Sequence, residues 1–184
     1  GATKLCSDKL FIAGNSYVGH DHSIFSVVRY GNVAGSRGSV IPFFIQEKAK
    51  GILPITDPRM TRFWITLEQG VGFVLDRLDH MVGGELFVPK LPSMNIMDLA
   101  KVIAPECKTE IIGIRPGEKL HELMITKDDA RRTLEFKNHY MIQPEFHYWK
   151  RRYSFKTGKP VEEDFEYNSG TNPWKLTIAE MRKI

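Results

Sequence analysis

Hydrophobic and polar residues along this chain follow two alternating spacings, one typical of strands and one typical of helices. Short apolar runs rich in β-branched residues predict strands, at 24–28, 85–90, 109–114 and 138–144. Apolar residues three or four positions apart predict helices, near the start of the chain and at 40–50, 65–78, 95–103 and 176–184. Strands that alternate with helices are typical of the α/β class with a mainly parallel sheet.

Four of these helices carry a distinct apolar stripe or a clear end signal. The first stripe consists of Ala2, Cys6, Leu10 and Ala13, and the second of Leu67, Val71, Val74, Leu75 and Leu78. Asn95 is a suitable N-cap for the helix whose inner face is Ile96, Leu99, Val102 and Ile103, and Asp98 lies in its first turn. Gly51 is the predicted C-cap of the helix at 40–50.

A glycine-rich loop follows the first predicted strand. Gly31, Gly35 and Gly38 alternate with polar residues, which are Asn32, Ser36, Arg37 and Ser39. In open α/β sheets, ligands bind at the carboxyl ends of the strands, where this loop lies. Glycine allows close approach of the backbone, and polar groups between the glycines can hold a phosphate or a sugar. The loop is therefore a candidate ligand site.

Two further segments carry groups that suit a diphosphate. Arg59, Thr61 and Arg62 supply two guanidinium groups and a hydroxyl, although a solvated turn with two surface arginines fits the spacing equally well. The segment 115–122 follows a predicted strand. Pro116 suits a first helical turn, which would place Arg115 and Glu118 at a strand-to-helix junction. His121 is a possible base, but a packing or ion-paired role is favoured on a helix.

Composition limits the classes of function. With 184 residues, 42% of them hydrophobic, the chain can bury the core of one domain or of one and a half. A net charge of +4 suits an anionic small molecule at least as well as nucleic acid. No apolar run reaches the roughly 20 residues of a membrane helix, and we expect no signal peptide. Two isolated cysteines, Cys6 and Cys107, fit a reducing cytoplasm.

Two other segments invite weaker interpretations. His20, Asp21 and His22 could begin a zinc site, but a solvated loop is favoured because the ligand set is incomplete. The stretch 149–153 mixes basic and aromatic residues, as single-strand nucleic-acid binders do. A loop packing against the domain is favoured there. We therefore expect neither a metal nor nucleic acid as a ligand.

Several blocks in register carry a resemblance to a known family. These are Gly1–Lys4, Arg29–Val33, Gly38–Phe44, Ile55–Thr66, Glu85–Ser93 and Ile112–Glu122. Gly1–Lys4 is similar to the tail of the Tyr-x-x-x-Lys motif of extended short-chain dehydrogenase/reductases, with the tyrosine directly before residue 1. Together the blocks closely resemble the inverting UDP-N-acetylglucosamine 4,6-dehydratases over residues 1 to about 144, and more loosely at 164–169.

The resemblance implies a cytoplasmic, NADP-dependent lyase that acts on UDP-N-acetylglucosamine in pseudaminic acid synthesis. Such enzymes oxidise C4, eliminate water across C5 and C6, and return the hydride to C6 with inversion at C5. It further implies a Rossmann-like parallel sheet, here its carboxyl-terminal part, with a small α/β substrate-binding region. Residues 1–50 would be the last part of the NADP-binding domain, and 51–184 the substrate-binding region with interleaved Rossmann elements. A homo-oligomer is expected for the full-length protein.

Residue roles are carried over from the same resemblance. Lys4 would bind the nicotinamide ribose and lower the pKa of the catalytic tyrosine, and Tyr30 and Val33 would line the nicotinamide. Asn32 would hold the diphosphate or the sugar. The remaining substrate contacts would be Ser39 and Val40 beside the nucleotide and Arg62, Arg115 and Glu118 at the diphosphate and uridine ribose.

Several parts of the family pattern are missing from the sequence. It contains no Gly-x-x-Gly-x-x-Gly loop, and Gly70 and Gly72 lie inside a helical pattern. The catalytic tyrosine and the upstream Asp-Lys pair are also absent. We therefore expect a carboxyl-terminal part of the enzyme that neither holds NADP tightly nor turns over alone.

Other functions stay open. A UDP-sugar 4-epimerase or a retaining 4,6-dehydratase of capsule polysaccharide synthesis would share the fold and the cofactor. A non-catalytic nucleotide-sugar-binding module would keep the same binding residues without the chemistry.

Overall fold

The structure is a computed structural model that describes residues 2–18, 23–145 and 157–183. Its helices are α1 (Ala2–Gly14), α2 (Val40–Lys48), α3 (Leu67–His80), α4 (Ile96–Ile103), α5 (Lys127–Ala130) and α6 (Ile178–Met181). Its strands are β1 (Val27–Val28), β2 (Asn32–Val33), β3 (Ile52–Ile55), β4 (Thr61–Ile65), β5 (Leu86–Pro89), β6 (Ser93–Asn95), β7 (Lys108–Ile111), β8 (Leu123–Ile125), β9 (Thr133–Glu135), β10 (His139–Ile142), β11 (Lys159–Pro160) and β12 (Tyr167–Asn168).

The chain forms two compact units that alternate along the sequence. The first comprises residues 1–29, 71–90 and 124–166, and the second comprises residues 30–70, 91–123 and 167–184. The units therefore divide the chain differently from a boundary at residue 50. The functional division into a cofactor-binding part and a substrate-binding part stays a prediction.

A five-stranded sheet forms the centre of the first unit, in the order β1-β5-β10-β9-β11. β1 pairs with β5 in parallel, and the other neighbours are antiparallel. All four residues of β5 are buried. Glu85, directly before β5, is fully buried, and its carboxylate accepts from the Ser26 hydroxyl and from the backbone N–H groups of Val82 and Gly83.

The second unit holds the apolar core that supports α2 and α4. β2 and β4 pair in parallel, β4 and β6 antiparallel, and β3 and β7 in parallel. The core side chains include Phe44, Leu53, Ile55, Met60, Trp64, Met94, Leu99 and Met181. The Asn95 side chain accepts from the Met97 N–H at 2.7 Å, which confirms the predicted cap of α4.

Most predicted elements are confirmed in a mixed α/β chain, whose strands pair both in parallel and antiparallel. The structure differs from the expectation in three details. The apolar stripes of α1 and α3 are exposed, with Leu10 at 71% and Leu67 at 62%. The first strand covers only Val27–Val28. The segment around Arg62, for which a diphosphate site and a solvated turn fitted equally well, is strand β4, in which Phe63, Trp64 and Ile65 are buried.

Candidate functional site

A cleft of about 530 Å³ opens in the second unit beside the N-terminus of α2. It is lined by most of the residues that the sequence analysis selected, namely Asn32, Val33, Ser39, Val40, Arg62, Arg115 and Glu118. These residues are separated by up to 86 positions in the sequence, from 32 to 118, and only the fold brings them together. The cleft is therefore the candidate ligand site.

Two selected residues lie outside this lining. Tyr30 belongs to the second unit, is 43% exposed and is absent from the lining residues that the structure describes. Lys4 is exposed on α1, in the first unit. Their predicted contacts with the nicotinamide stay predictions.

Close packing of β2 on β4 fixes the position of Asn32. Asn32 lies opposite Trp64 in the parallel pair. A Cβ atom on the preceding Gly31 would come within 2.7 Å of the Phe63 backbone oxygen, so only glycine fits there. The first glycine of the loop therefore allows β2 to approach β4 and brings Asn32 to the cleft.

Ser39 and the N-terminus of α2 form one wall of the cleft. Ser39 is the N-cap residue, but its side chain makes no capping hydrogen bond. Its hydroxyl oxygen is buried and has no hydrogen-bond partner within the described residues. A buried hydroxyl without a partner costs about 1–3 kcal/mol. A ligand oxygen at this wall would supply the missing partner, and a helix N-terminus favours an anion.

The segment that carries Arg115 is a turn, so the predicted helix start at Pro116 is wrong. Gly117 has a positive φ of +78°, which interrupts a right-handed helix. The Glu118 N–H donates to the Arg115 carbonyl at 3.0 Å, and the Glu118 carboxylate accepts from the Arg115 N–H at 3.3 Å. The Arg115 side chain is exposed at the cleft. It is a cation available to a ligand.

Arg62 holds that turn against β4. Its side chain is 17% exposed, and it donates to the carbonyl oxygens of Thr61, Leu120 and Lys119 at 2.7, 3.1 and 2.9 Å. Its distances to the carboxylates of Glu118 and Glu122 are both 3.9 Å. Arg62 is therefore a half-buried arginine that uses much of its donor capacity on the protein itself.

Arg59 and Thr61, the other residues suited to a diphosphate, also form bonds with protein groups. Arg59 pairs with Asp57, and this hydrogen bonding is the main reason that the pKa of Asp57 falls to about 2. The Thr61 hydroxyl bonds to His121 Nδ1 and to the Ser169 hydroxyl, both at 2.8 Å. His121 also packs against Gly170, where a Cβ would come within 2.8 Å of the ring. This environment favours the packing interpretation of His121 over that of a base.

Sequence reasoning missed Glu122, which lies behind Asn32. With the Asn32 amide oriented to satisfy both groups, its nitrogen donates to the two Glu122 oxygens at 3.0 and 2.8 Å. The Phe63 N–H donates to the same carboxylate at 3.2 Å. Burial raises the pKa of Glu122, although this hydrogen bond and Arg62 oppose the shift. The available signals were the place of Glu122 in the Ile112–Glu122 block and its position four residues after Glu118.

An apolar surface completes the cleft. It includes side chains that the sequence analysis did not select, among them Phe44, Met60, Trp64, Met94 and Ile96. Most ligand sites combine such apolar walls with a few placed polar groups. The available signal was the run Phe63–Ile65, which follows Arg62 directly.

The residues considered for a metal ion or for nucleic acid are located as follows. Within residues 2–18, 23–145 and 157–183, no group of His, Cys, Asp and Glu side chains could hold a metal ion. His20, Asp21, His22 and the basic-aromatic stretch 149–153 lie outside the described residues. None of the helices that the structure describes is long and apolar enough to cross a membrane.

The residues of this cleft lie within a match to a known protein family. The family model described as "Polysaccharide biosynthesis protein" matches residues 1–144, which include every residue selected for the site. The chain belongs to this polysaccharide biosynthesis family. The match ends before the second unit does, so residues 167–184 lie beyond it.

Individual proteins are also similar to this chain in sequence. A UDP-N-acetylglucosamine 4,6-dehydratase (inverting) of Campylobacter jejuni is 52% identical over 193 residues, covering 100% of this chain and 58% of the relative. A UDP-glucose 4-epimerase of Rickettsia akari is 33% identical, covering 100% of this chain and 55% of the relative. This chain thus spans little more than half the length of these relatives.

A solved structure supports the fold. The crystal structure of Pen from Bacillus thuringiensis superposes with a TM-score of 0.86 at 32% identity, covering 100% of this chain and 56% of that one. The predicted class, an α/β chain with a Rossmann-like part, is confirmed.

Of the three residues predicted to face the nicotinamide, Val33 lines the cleft. The contacts of Lys4, Tyr30 and Val33 with a cofactor stay predictions. The sequence also lacks a Gly-x-x-Gly-x-x-Gly phosphate loop. A nicotinamide cofactor is usual for dehydratases of this kind, but the use of NADP by this protein stays a proposal.

Proposed function

We propose that the cleft binds UDP-N-acetylglucosamine and that the protein takes part in its NADP-dependent, inverting 4,6-dehydration, the first step of pseudaminic acid synthesis. One observation supports the binding proposal above the others. All of the residues that the family resemblance assigns to the substrate line one cleft of suitable size. The Campylobacter relatives, at 52% and 53% identity, support this chemistry more strongly than the Rickettsia epimerases do at 33%.

The proposed binding mode uses groups that the protein leaves available. The exposed Arg115 guanidinium would pair with diphosphate oxygens, and the Ser39 hydroxyl at the N-terminus of α2 would donate to the same anion. The Glu118 carboxylate suits the hydroxyls of the uridine ribose, because an ionised carboxylate only accepts hydrogen bonds. The apolar wall would exclude water from the nucleotide.

The chemistry is proposed for the whole protein, which we expect to be cytoplasmic and homo-oligomeric. The hydride chemistry at C4 and C6 would be supplied by a bound nicotinamide cofactor. Because the sequence contains neither the tyrosine nor the phosphate loop of the family, we expect these 184 residues to bind the nucleotide sugar without turning it over. Product formation from UDP-N-acetylglucosamine by the purified chain would contradict this expectation.

Calorimetric titration of the purified chain with UDP tests the binding proposal. We expect saturable heat with one site. The absence of heat at millimolar UDP would contradict the proposal and also the alternative of a non-catalytic binding module. If UDP binds, a product assay on the full-length parent that separates C6 deoxygenation from C4 inversion decides between the dehydratase and the epimerase. The configuration at C5 of the product separates inverting from retaining enzymes.

A further inference from the structure

Glu122 belongs to the 115–122 segment, but the proposed binding mode does not use it. Its side chain is 30% exposed and is not among the described residues that line the cleft. Three groups surround its carboxylate: the Asn32 amide nitrogen at 2.8 and 3.0 Å, the Phe63 N–H at 3.2 Å and Arg62 Nε at 3.9 Å. Glu122 thus lies behind a residue that does line the cleft.

The chemistry of a carboxylate dictates how Asn32 must be turned. An ionised carboxylate has only acceptor oxygens, whereas an asparagine amide has a donor nitrogen on one side and an acceptor oxygen on the other. With both Glu122 oxygens contacting the Asn32 nitrogen, the amide oxygen faces away from Glu122. The reverse orientation would bring oxygen against oxygen and is strongly disfavoured.

We infer that Glu122 is a positioning residue that holds Asn32 with its amide oxygen toward the cleft, so that Asn32 accepts a hydrogen bond from the sugar of the bound nucleotide sugar. This inference rests on the proposed function. Diphosphate oxygens carry no hydrogen to donate, so an asparagine oxygen cannot bind them. Sugar hydroxyls and the N–H of an acetamido group can donate. The inference thus assigns Asn32 to the sugar and leaves the diphosphate to Arg115.

The backbone around Glu122 is fixed well enough to support this role. The Glu122 N–H donates to the Ser169 hydroxyl at 2.8 Å, and the Ser169 N–H donates to the Glu122 carbonyl at 2.9 Å. Ser169 is fully buried, and its hydroxyl also donates to the Thr61 carbonyl at 3.1 Å. These bonds join Glu122 to β4, the strand that pairs with β2 and so with Asn32. Such support preorganises a binding group.

Substitutions at the two positions test the orientation. In Glu122→Gln, the new amide oxygen can still accept from Phe63, but the new amide nitrogen then faces Asn32 and turns the Asn32 oxygen away from the cleft. In Asn32→Asp, two carboxylates come into contact. In the double variant, the new amide at position 122 donates to one oxygen of the new carboxylate at position 32 and leaves its other oxygen facing the cleft.

Calorimetric titrations with UDP and UDP-N-acetylglucosamine read out these changes. We expect the wild-type chain to bind the nucleotide sugar more tightly than UDP. In Glu122→Gln, the affinity for the nucleotide sugar should fall by about 3- to 10-fold, and the affinity for UDP should fall by less than about 2-fold. The double variant should recover most of the loss of either single variant. Glu106→Gln, which alters an exposed carboxylate in the same unit, is the matched control and should change neither affinity.

Several results would overturn the inference. Equal binding of UDP and the nucleotide sugar by the wild type, an equal loss for both ligands in Glu122→Gln, or no recovery in the double variant would each contradict it. If UDP does not bind at all, the proposed function fails, and a ligand-free measurement decides the orientation. The ¹⁵N NMR signals of the Asn32 side-chain amide should then shift in Glu122→Gln but not in Glu106→Gln. Unchanged signals would show that Glu122 does not hold Asn32.

Discussion

Arg62 donates a hydrogen bond to the Leu120 carbonyl at 3.1 Å and thereby joins strand β4 to the segment that presents Arg115. A second bond to the Lys119 carbonyl strengthens the same connection. Arg62 thus contributes to the cleft by holding its wall as well as by its charge.

Substitution of Arg62 should therefore affect both stability and binding. Arg62→Lys keeps the charge but loses the planar fork that reaches several carbonyls, so we expect a loss of about 1–3 kcal/mol in the free energy of unfolding. The affinity for UDP should fall as well, because the 115–120 segment is released. Chemical denaturation and calorimetry measure the two effects. Weaker UDP binding at unchanged stability would show that Arg62 acts only through direct contact with the ligand.

Substitution of Arg115 should weaken binding but leave the stability almost unchanged. Its side chain is exposed, so Arg115→Ala should change the free energy of unfolding by less than about 0.5 kcal/mol. Loss of a charged hydrogen bond should weaken UDP binding by about 10- to 100-fold. Arg182→Ala removes another exposed arginine of the second unit, outside the cleft lining, and serves as the control. A similar loss of affinity in both variants would indicate a general charge effect.

Acid should destabilise the first unit through His139. Burial, assisted by the charge of Arg77, lowers the pKa of His139 to about 4 from 6.5. The imidazole also stacks on Phe136, with a centroid separation of 4.6 Å, and contacts Arg77 Nη1 at 2.9 Å. The unfolded chain therefore binds more protons between these two values.

It follows that the contribution of His139 to the free energy of unfolding falls as the pH drops from about 6.5 to about 4, by up to about 3 kcal/mol, and is constant below that range. Urea denaturation at a series of pH values measures the slope. His139→Gln should flatten the slope across this window, whereas substitution of the exposed His80 to Gln should preserve it. An equal slope in wild type and His139→Gln would contradict the assignment.

Glu85 should be essential for the turn before β5. It is fully buried and accepts hydrogen bonds from three donors at 2.6 to 2.8 Å. Glu85→Gln replaces one acceptor oxygen with a donor nitrogen, so at least one partner loses its bond, at a cost of about 1–3 kcal/mol. Glu135→Gln, at a more exposed pair with Lys90, should cost less than about 1 kcal/mol in the same denaturation measurement. An equal loss in the free energy of unfolding for both variants would show that the buried bonds of Glu85 stabilise the fold no more than the exposed Lys90–Glu135 pair does.

The sequence predicted the helices and the lining of the cleft better than it predicted local turns. Asn32, Ser39 and Arg115 could be selected because each lies in a short motif whose order along the chain matches a known family. The helix start at Pro116 could not be excluded, since its failure depends on the left-handed conformation of Gly117.

Relationships between distant residues could not be read from local patterns. Strand β4 was missed because Thr61 and Arg62 look like a polar turn, whereas their partners His121 and Leu120 lie about sixty positions away. The Glu122–Ser169 bond joins residues 47 positions apart. Burial is another such relationship. The periodicity of α3 predicted the helix correctly, but its apolar stripe is exposed, because periodicity does not determine how far a helix is buried.

The most direct test of the central claim is to map UDP binding on the chain by two-dimensional ¹H–¹⁵N NMR. A nucleotide sugar site in this cleft predicts that UDP shifts the amide signals of Ser39, Val40, Arg115 and Glu118 most strongly, and that these shifts saturate together. Shifts concentrated on the five-stranded sheet of the first unit, or no saturable shifts at millimolar UDP, would contradict it.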